Sequence, residues 1–346
     1  MTSTTITPTP GTTEATAATG RSEPPRRAER DPWFDNSKML LVTLVVVGHS
    51  WMLLPANEVN NRLYDWLYLW HMPAFVMITG YFSRSFTYSR RHLRKLVTTV
   101  LLPYLVFEGL LALFRHHVGG EQFENLWINP HWTMWYLIVL VVWRLATPLL
   151  RRIPHAVPVA IAISLLGGLV SAPILDLNRA MGMLPFFVVG LLVQPHHIEA
   201  VRSYSTRVTG LGALAAGILV TGWVEHEAGS EWLYHHASYA ERGVGALEGM
   251  VTRLGLIGAA LAMSVAVLAW IPEKRTWFTR MGAASVVVYL FHGFFVKGAE
   301  YAGLPAWTAA HPVLSLVLVS AGAVAVALAL AWRPVSKRLA KVVTPA

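Results

Sequence analysis

Long apolar runs alternate with short polar segments along most of the chain. The runs are Met39–Leu54, Trp66–Phe82, Leu96–Phe114, Trp132–Leu149, Ala156–Ile174, Met181–Val193, Val208–Val224, Val251–Ile271, Ala283–Val296 and Val313–Trp332. Most approach the ~20 apolar residues that a helix needs to cross ~30 Å of hydrocarbon, where every backbone hydrogen bond must be closed within the segment. The sixth and ninth runs are short, which fits a tilted or locally buried helix. The pattern predicts an all-α integral membrane fold, a polytopic bundle of about ten transmembrane helices. No repeat of 20–50 residues is evident, so residues 31–346 read as one membrane domain. Residues 1–30 are Thr, Pro and Ala with scattered charges and contain no signal-peptide core. They read as a disordered cytoplasmic tail.

Composition narrows the class further. The chain is 54% hydrophobic and only 14% charged, too little charge to solvate a soluble domain of 346 residues. Its net charge of +9 does not point to nucleic acid, because the basic residues fall between apolar runs rather than along one face. If the N-terminus is inside, the alternate segments on that side carry 22 of the 28 Lys and Arg residues. The outer side keeps Arg62, Arg115, Arg179, Arg242, Arg253 and Lys297. A wrong span count would scramble this asymmetry, so ten spans with both termini cytoplasmic in the inner membrane are expected. The outer segment Glu225–Glu248 carries five glutamates and has room for a short amphipathic helix. The chain has no cysteine, which excludes disulfides, thiolate metal sites and a cysteine nucleophile.

Ionisable residues inside apolar runs are costly in lipid and face a bundle interior, a cavity or a partner. His49 is placed near mid-depth in the first run, His71 enters the second from outside, Glu108 lies about two thirds along the third, and His292 lies mid-way along the ninth. Together they could line one cavity; singly, each also fits one interhelical hydrogen bond, or for Glu108 a protonated structural carboxyl. Lys38 adds a constraint. It precedes His49 by eleven residues, which is three turns plus about 20° and ~16 Å of rise, so both side chains leave one helix face. A cation at the mouth and an imidazole within suit an extended pantetheine arm, with Asp35 and Asn36 as N-caps. Arg91 and Arg94, in an Arg-x-x-Arg arrangement, fit two roles: gripping a phosphate, or anchoring a cytoplasmic loop to lipid headgroups.

These residues resemble a known family. Phe34-Asp35-Asn36-Ser37-Lys38 leading to Gly48-His49-Ser50 is similar to the opening of the acyltransferase-3 integral-membrane acyltransferases, and particularly to their fucose O-acetylase-like stand-alone members. So are Trp70-His71-Met72-Pro73-Ala74-Phe75 with Thr79-Gly80-Tyr81, the Arg91/Arg94 pair, Leu102-Pro103-Tyr104, Trp132-Thr133-Met134-Trp135-Tyr136-Leu137 and Tyr289-Leu290-Phe291-His292. The likeness covers nearly all of Asp35 to Trp332, and Thr79 stands where serine is commoner.

The resemblance implies ten core helices and transfer of an acyl group, acetyl in the simplest case, from acyl-CoA to a hydroxyl at the outer side. It implies His49 as the essential base, Lys38, Arg91 and Arg94 on the donor side, and acyl-CoA as co-substrate with no metal. The acceptor is expected to be a sugar, glycan or secondary metabolite. No extracellular esterase-like domain is expected, which leaves acceptor handling to the membrane domain or its outer loops. His71, His292 and Glu108 complete the candidate catalytic set. Trp66, Trp70, Trp132 and Trp135 fit either a sugar platform or an interfacial aromatic belt. Two rival classes remain: a proton-coupled transporter or flippase, and a non-catalytic membrane protein whose histidines are structural.

Overall fold

The computed structural model describes residues 1–3, 5, 31–123, 126–171 and 174–343, without the side chains of residues 227 and 228. The expected N-terminal tail lies almost wholly outside them, and the helical body begins at Pro32. Among the described residues every regular element is helical. Helices α1 (Pro32–Trp51), α2 (Glu58–Ser83), α3 (Arg90–Leu96) and α4 (Leu102–Gly119) come first, then α5 (Trp135–Leu150), α6 (Ala156–Gly167), α7 (Leu177–Gly182) and α8 (Leu184–Leu192). The second half adds α9 (Pro195–Arg202), α10 (Tyr204–Trp223), α11 (Ala246–Ala269), α12 (Ser285–Tyr301), α13 (Leu304–Ala310), α14 (Pro312–Ala331) and α15 (Arg333–Val343).

Each apolar run carries helix, but the runs do not all become long rods. Among the described residues, five stretches are long and apolar enough to cross a membrane: Arg90–Gly119, Tyr204–His226, Ala246–Ala269, Thr279–Tyr301 and Pro312–Ala331. A sixth counts if Ile174–Gly182 and Leu184–Leu192, bent by 60°, form one span. The sixth run, Met181–Val193, spans that break but takes in only the last two residues before it, because Asp176, Asn178 and Arg179 interrupt the apolar pattern. The fifth run was expected to reach Ile174, yet α6 stops at Gly167 after 12 residues, about 18 Å. Helices α1 and α2 are long enough, but Asp35, Asn36 and Lys38 in one and Glu58, Arg62 and Asp65 in the other lower their apolarity.

Two local corrections follow. Helix α1 begins at Pro32, so Asp35 and Asn36 are not its caps. Asp35 pairs with Lys38 at 2.6 Å. Asn36, fully buried, donates to the Pro272 and Lys274 carbonyls at 2.7 and 3.1 Å and accepts from Thr276 and Thr279, clamping the α11–α12 connection onto α1. In the acidic segment Glu225–Glu248 the chain forms no amphipathic helix; a short 3₁₀ turn, Ser230–Tyr234, buries Trp232 and Leu233 instead.

Helix α2 is the centre of the bundle, packed against α1, α8, α10 and α11. Its contact with α8 is backbone on backbone: a Cβ on Gly80 would overlap the Phe187 carbonyl, and one on Gly190 would overlap the Met77 carbonyl. Between α3 and α4 the helix continues but widens over Val97–Leu101, where the Leu102 N–H donates to the Val97 carbonyl five residues back. This wide turn stands just ahead of Pro103, whose ring cannot fit a tight helical interior.

Candidate active site

Helix α1 carries His49 in its last turn, not at mid-helix, because the helix ends at Trp51. The imidazole is 7% exposed. Helix α12 brings His292 against it, ring centroids 5.3 Å apart at 28°. His292 Nδ1 donates to the Tyr289 carbonyl at 2.6 Å, which fixes its tautomer and leaves a lone pair on Nε2. That Nε2 and His49 Nδ1 are both buried without a hydrogen-bond partner. His71 sits mid-way along α2, since that helix starts eight residues before the apolar run, and its Nδ1 donates to Leu67 at 2.9 Å. Its Nε2 faces the space beside Gly48, behind His49.

Trp132 covers His49 edge-on, with centroids 4.6 Å apart. Its φ is +31°, a left-handed conformation that costs a bulky residue energy and persists only when neighbours enforce it. Both flanking residues are held. Buried Glu108 accepts the His131 N–H at 2.9 Å and also the His131 ring, while the Tyr289 hydroxyl donates to the Thr133 carbonyl. Glu108 therefore fixes the Trp132 loop and does not face the imidazole pair. Of the four expected tryptophans, Trp132 alone reaches a cavity with His49. Trp66 and Trp70 pack on each other, and Trp135 stacks under Arg179 at 4.6 Å.

Two cavities meet at His49, Met52 and Trp132. The larger, about 440 Å³, is walled by Tyr64, Tyr68 and Tyr234 and by polar loop residues that include Asn129, Ser171 and His236. Arg179 pairs with Asp176 at 2.9 Å, Arg242 pairs with Glu231, and Glu241 accepts from Ser171 and from the Ser238 amide, both at 2.7 Å. Those bonds, Ser171 foremost, hold the Glu241 carboxyl below its usual range. Burial, then Arg179 and Arg242, push the His236 imidazole below its ordinary value. The smaller cavity, about 380 Å³, adds Arg115, Lys297 and Glu300. There Glu121 ties Arg115, Lys297 and Tyr301 together. Burial opposes its ionisation, but the Arg115 and Tyr301 bonds and the two cations prevail, holding Glu121 at about 2.

Lys38 lies on α1 with His49, its ammonium paired to Asp35 and 5.4 Å from the Phe82 ring centre. Arg91 and Arg94 stand three residues apart on α3, both exposed and without an ion pair among the described residues. Glu58, Glu225 and His226 converge closely enough for a metal. They do not fit one, because Arg62 already bridges both carboxylates, at 2.8 and 3.3 Å.

The structure thus joins His49 to His292, places His71 behind Gly48 and turns Glu108 to the tryptophan loop. Sequence reasoning missed the Asp176–Arg179 and Glu231–Arg242 walls. Their one visible signal was opposite charge, Asp176 with Arg179 and Glu231 with Arg242, at close spacing in segments sparse in cations.

An all-helical, membrane-compatible body with an imidazole pair between two cavities defines the class. The family model described as an acyltransferase domain matches residues 31–332, so the chain belongs to the acyltransferase-3 family. Its five or six membrane-compatible helices fit a multi-pass membrane protein of that family. It is similar to nodulation protein NolL of Sinorhizobium fredii (strain NBRC 101917 / NGR234), 29% identical over 126 residues, covering 32% of this chain and 34% of that protein. The chain spans about a third of the length of that relative. No solved structure matches.

Proposed function

We propose that this chain crosses the cell membrane ten times with both termini cytoplasmic, and transfers an acyl group from cytoplasmic acyl-CoA to a hydroxyl of a sugar, glycan or hydroxylated metabolite. The observation that carries this reading is His49: it is paired with His292, lies on one helix with Lys38, and borders a cavity suited to a polyol. The cavity offers tyrosine ring faces and ion-paired donors and acceptors. Its three carboxylates, Asp176, Glu231 and Glu241, outnumber its two arginines, Arg179 and Arg242, which disfavours an anionic group and favours a neutral, hydroxyl-rich one.

In this mechanism Lys38, Arg91 and Arg94 hold the phosphates of the donor, and the thioester extends along α1 toward His49, about 16 Å from Lys38. His49 removes the acceptor proton as the hydroxyl oxygen bonds to the thioester carbonyl carbon. The C–S bond breaks, and the imidazolium returns its proton to the departing CoA thiolate. Through one bridging water the His292 Nε2 lone pair accepts from His49 Nδ1, and so keeps the His49 Nε2 lone pair for the acceptor.

The test measures acyl transfer in membranes containing matched amounts of each variant. His49→Ala is expected to abolish transfer with normal insertion, whereas His71→Ala and His292→Ala reduce it less. Arg91→Lys with Arg94→Lys should raise the KM for acyl-CoA several-fold, because lysine lacks the bidentate fork. His49→Ala activity within a few-fold of wild type would end the assignment.

A further inference from the structure

Near the imidazole pair, helices α1, α12, α13 and α14 border a groove of about 480 Å³ that the mechanism above leaves unused. Its lining is apolar apart from the Ser50 hydroxyl and the Trp307 indole N–H, and the Ser50 hydroxyl is spent on the Val46 carbonyl of its own helix at 2.8 Å. One indole N–H is too little to hold a sugar or a phosphate. The groove adjoins the smaller of the two His49 cavities, because Leu53 and Val296 line both. Each of these two residues stands four positions past an imidazole of the pair, Leu53 in the turn that follows α1 and Val296 on α12, so the groove lies next to the reacting base.

We propose that this groove holds the hydrocarbon chain of the acyl donor, and that the group transferred is a medium-length acyl chain rather than acetyl alone. This inference rests on the acyl-CoA reading and goes further, to the class of acyl group. The distance to His49 decides between occupants. In an acyl donor the chain is bonded directly to the carbon under attack, so its first methylenes lie within a turn of the base. In a lipid-linked acceptor a sugar separates the hydroxyl from the lipid tail, which then has to begin further away. An apolar groove lined by Leu53 and Val296, each four residues past an imidazole of the pair, matches the first arrangement.

Gly322 on α14 provides the test. It lines the groove, and a Cβ there meets nothing within 4 Å, so a large side chain enters the groove without displacing the bundle. The measurement is the affinity of protein in lipid nanodiscs for acetyl-CoA and for octanoyl-CoA, after subtraction of binding to protein-free nanodiscs. Full burial adds up to about fourfold per methylene. The groove is open along one side, so wild type is expected to prefer octanoyl-CoA by roughly tenfold or more. Gly322→Phe should collapse that ratio to below about threefold, while Gly322→Ala, which adds a methyl without filling the groove, should keep it. Equal affinity for the two donors in wild type overturns the inference, as does a preference that survives in Gly322→Phe. If neither CoA ester binds wild type, the donor reading itself fails and the groove assignment falls with it.

Discussion

Trp132 shows how one residue can join distant parts of the chain. Its indole forms a wall of both cavities, and its backbone is kept at φ +31° by Glu108 on α4 and Tyr289 on α12. Ring and strain can be separated by substitution. Trp132→Ala and Trp132→Gly both remove the indole and are expected to lose acyl transfer alike. Glycine also tolerates the left-handed conformation, so the glycine variant should be the more stable by about 1 kcal/mol in detergent melting curves. Equal stability would show that the backbone stores no strain. The Lys38–His49 relation was legible in the sequence because both residues ride one helix, where spacing alone sets direction. The His49–His292 pair and the Trp132 cover were not legible. Each joins residues on different elements, and only tertiary packing decides which imidazole meets which.

At the scale of elements, the apolar runs located helices well and described their interruptions poorly. Hydropathy sums side chains and is blind to backbone breaks, so it ran across Met183 while leaving most of α7 outside the sixth run, and it carried α6 past Gly167. It is equally blind to the role of Asn36, whose side chain resembles a cap in sequence but clamps a connection 236–243 residues away. The glycine contact between α2 and α8 belongs to the same class of hidden information. Small residues let helix backbones approach closely, which in a bilayer replaces hydrophobic association. Gly80→Ala and Gly190→Ala are each expected to cost about 1–3 kcal/mol, because a methyl must push two backbones apart. Since both act on one interface, the double variant should lose less than the sum of the two. Melting temperatures of the three variants in one detergent give the comparison, and strict additivity would mean that the two contacts are independent.

For the whole molecule, charge gives direction to the bundle. The exposed basic α3 and Lys38 lie at one end, whereas His49, both cavities and the Glu121 cluster lie at the other ends of the same helices. A reporter fused after Ala346 is expected to read cytoplasmic, and one inserted near Ser230 external. A reversed signal at either site would remove the proposed separation of donor entry from acceptor entry. The continuous stretch Arg90–Gly119 links these ends, with Arg91 and Arg94 before the wide turn at Val97–Leu101 and Glu108 after it. A wide turn accommodates an extra residue within an otherwise regular helix. Losing one residue there would let the turn close to regular helix and leave both halves near their present faces, whereas a residue added without such a bulge would rotate one half against the other by ~100°. Either the arginine pair or the Glu108 clamp would then face the wrong neighbours. In evolutionary terms, the turn marks a point where a single-codon deletion would spare both the helix and the link between its two ends.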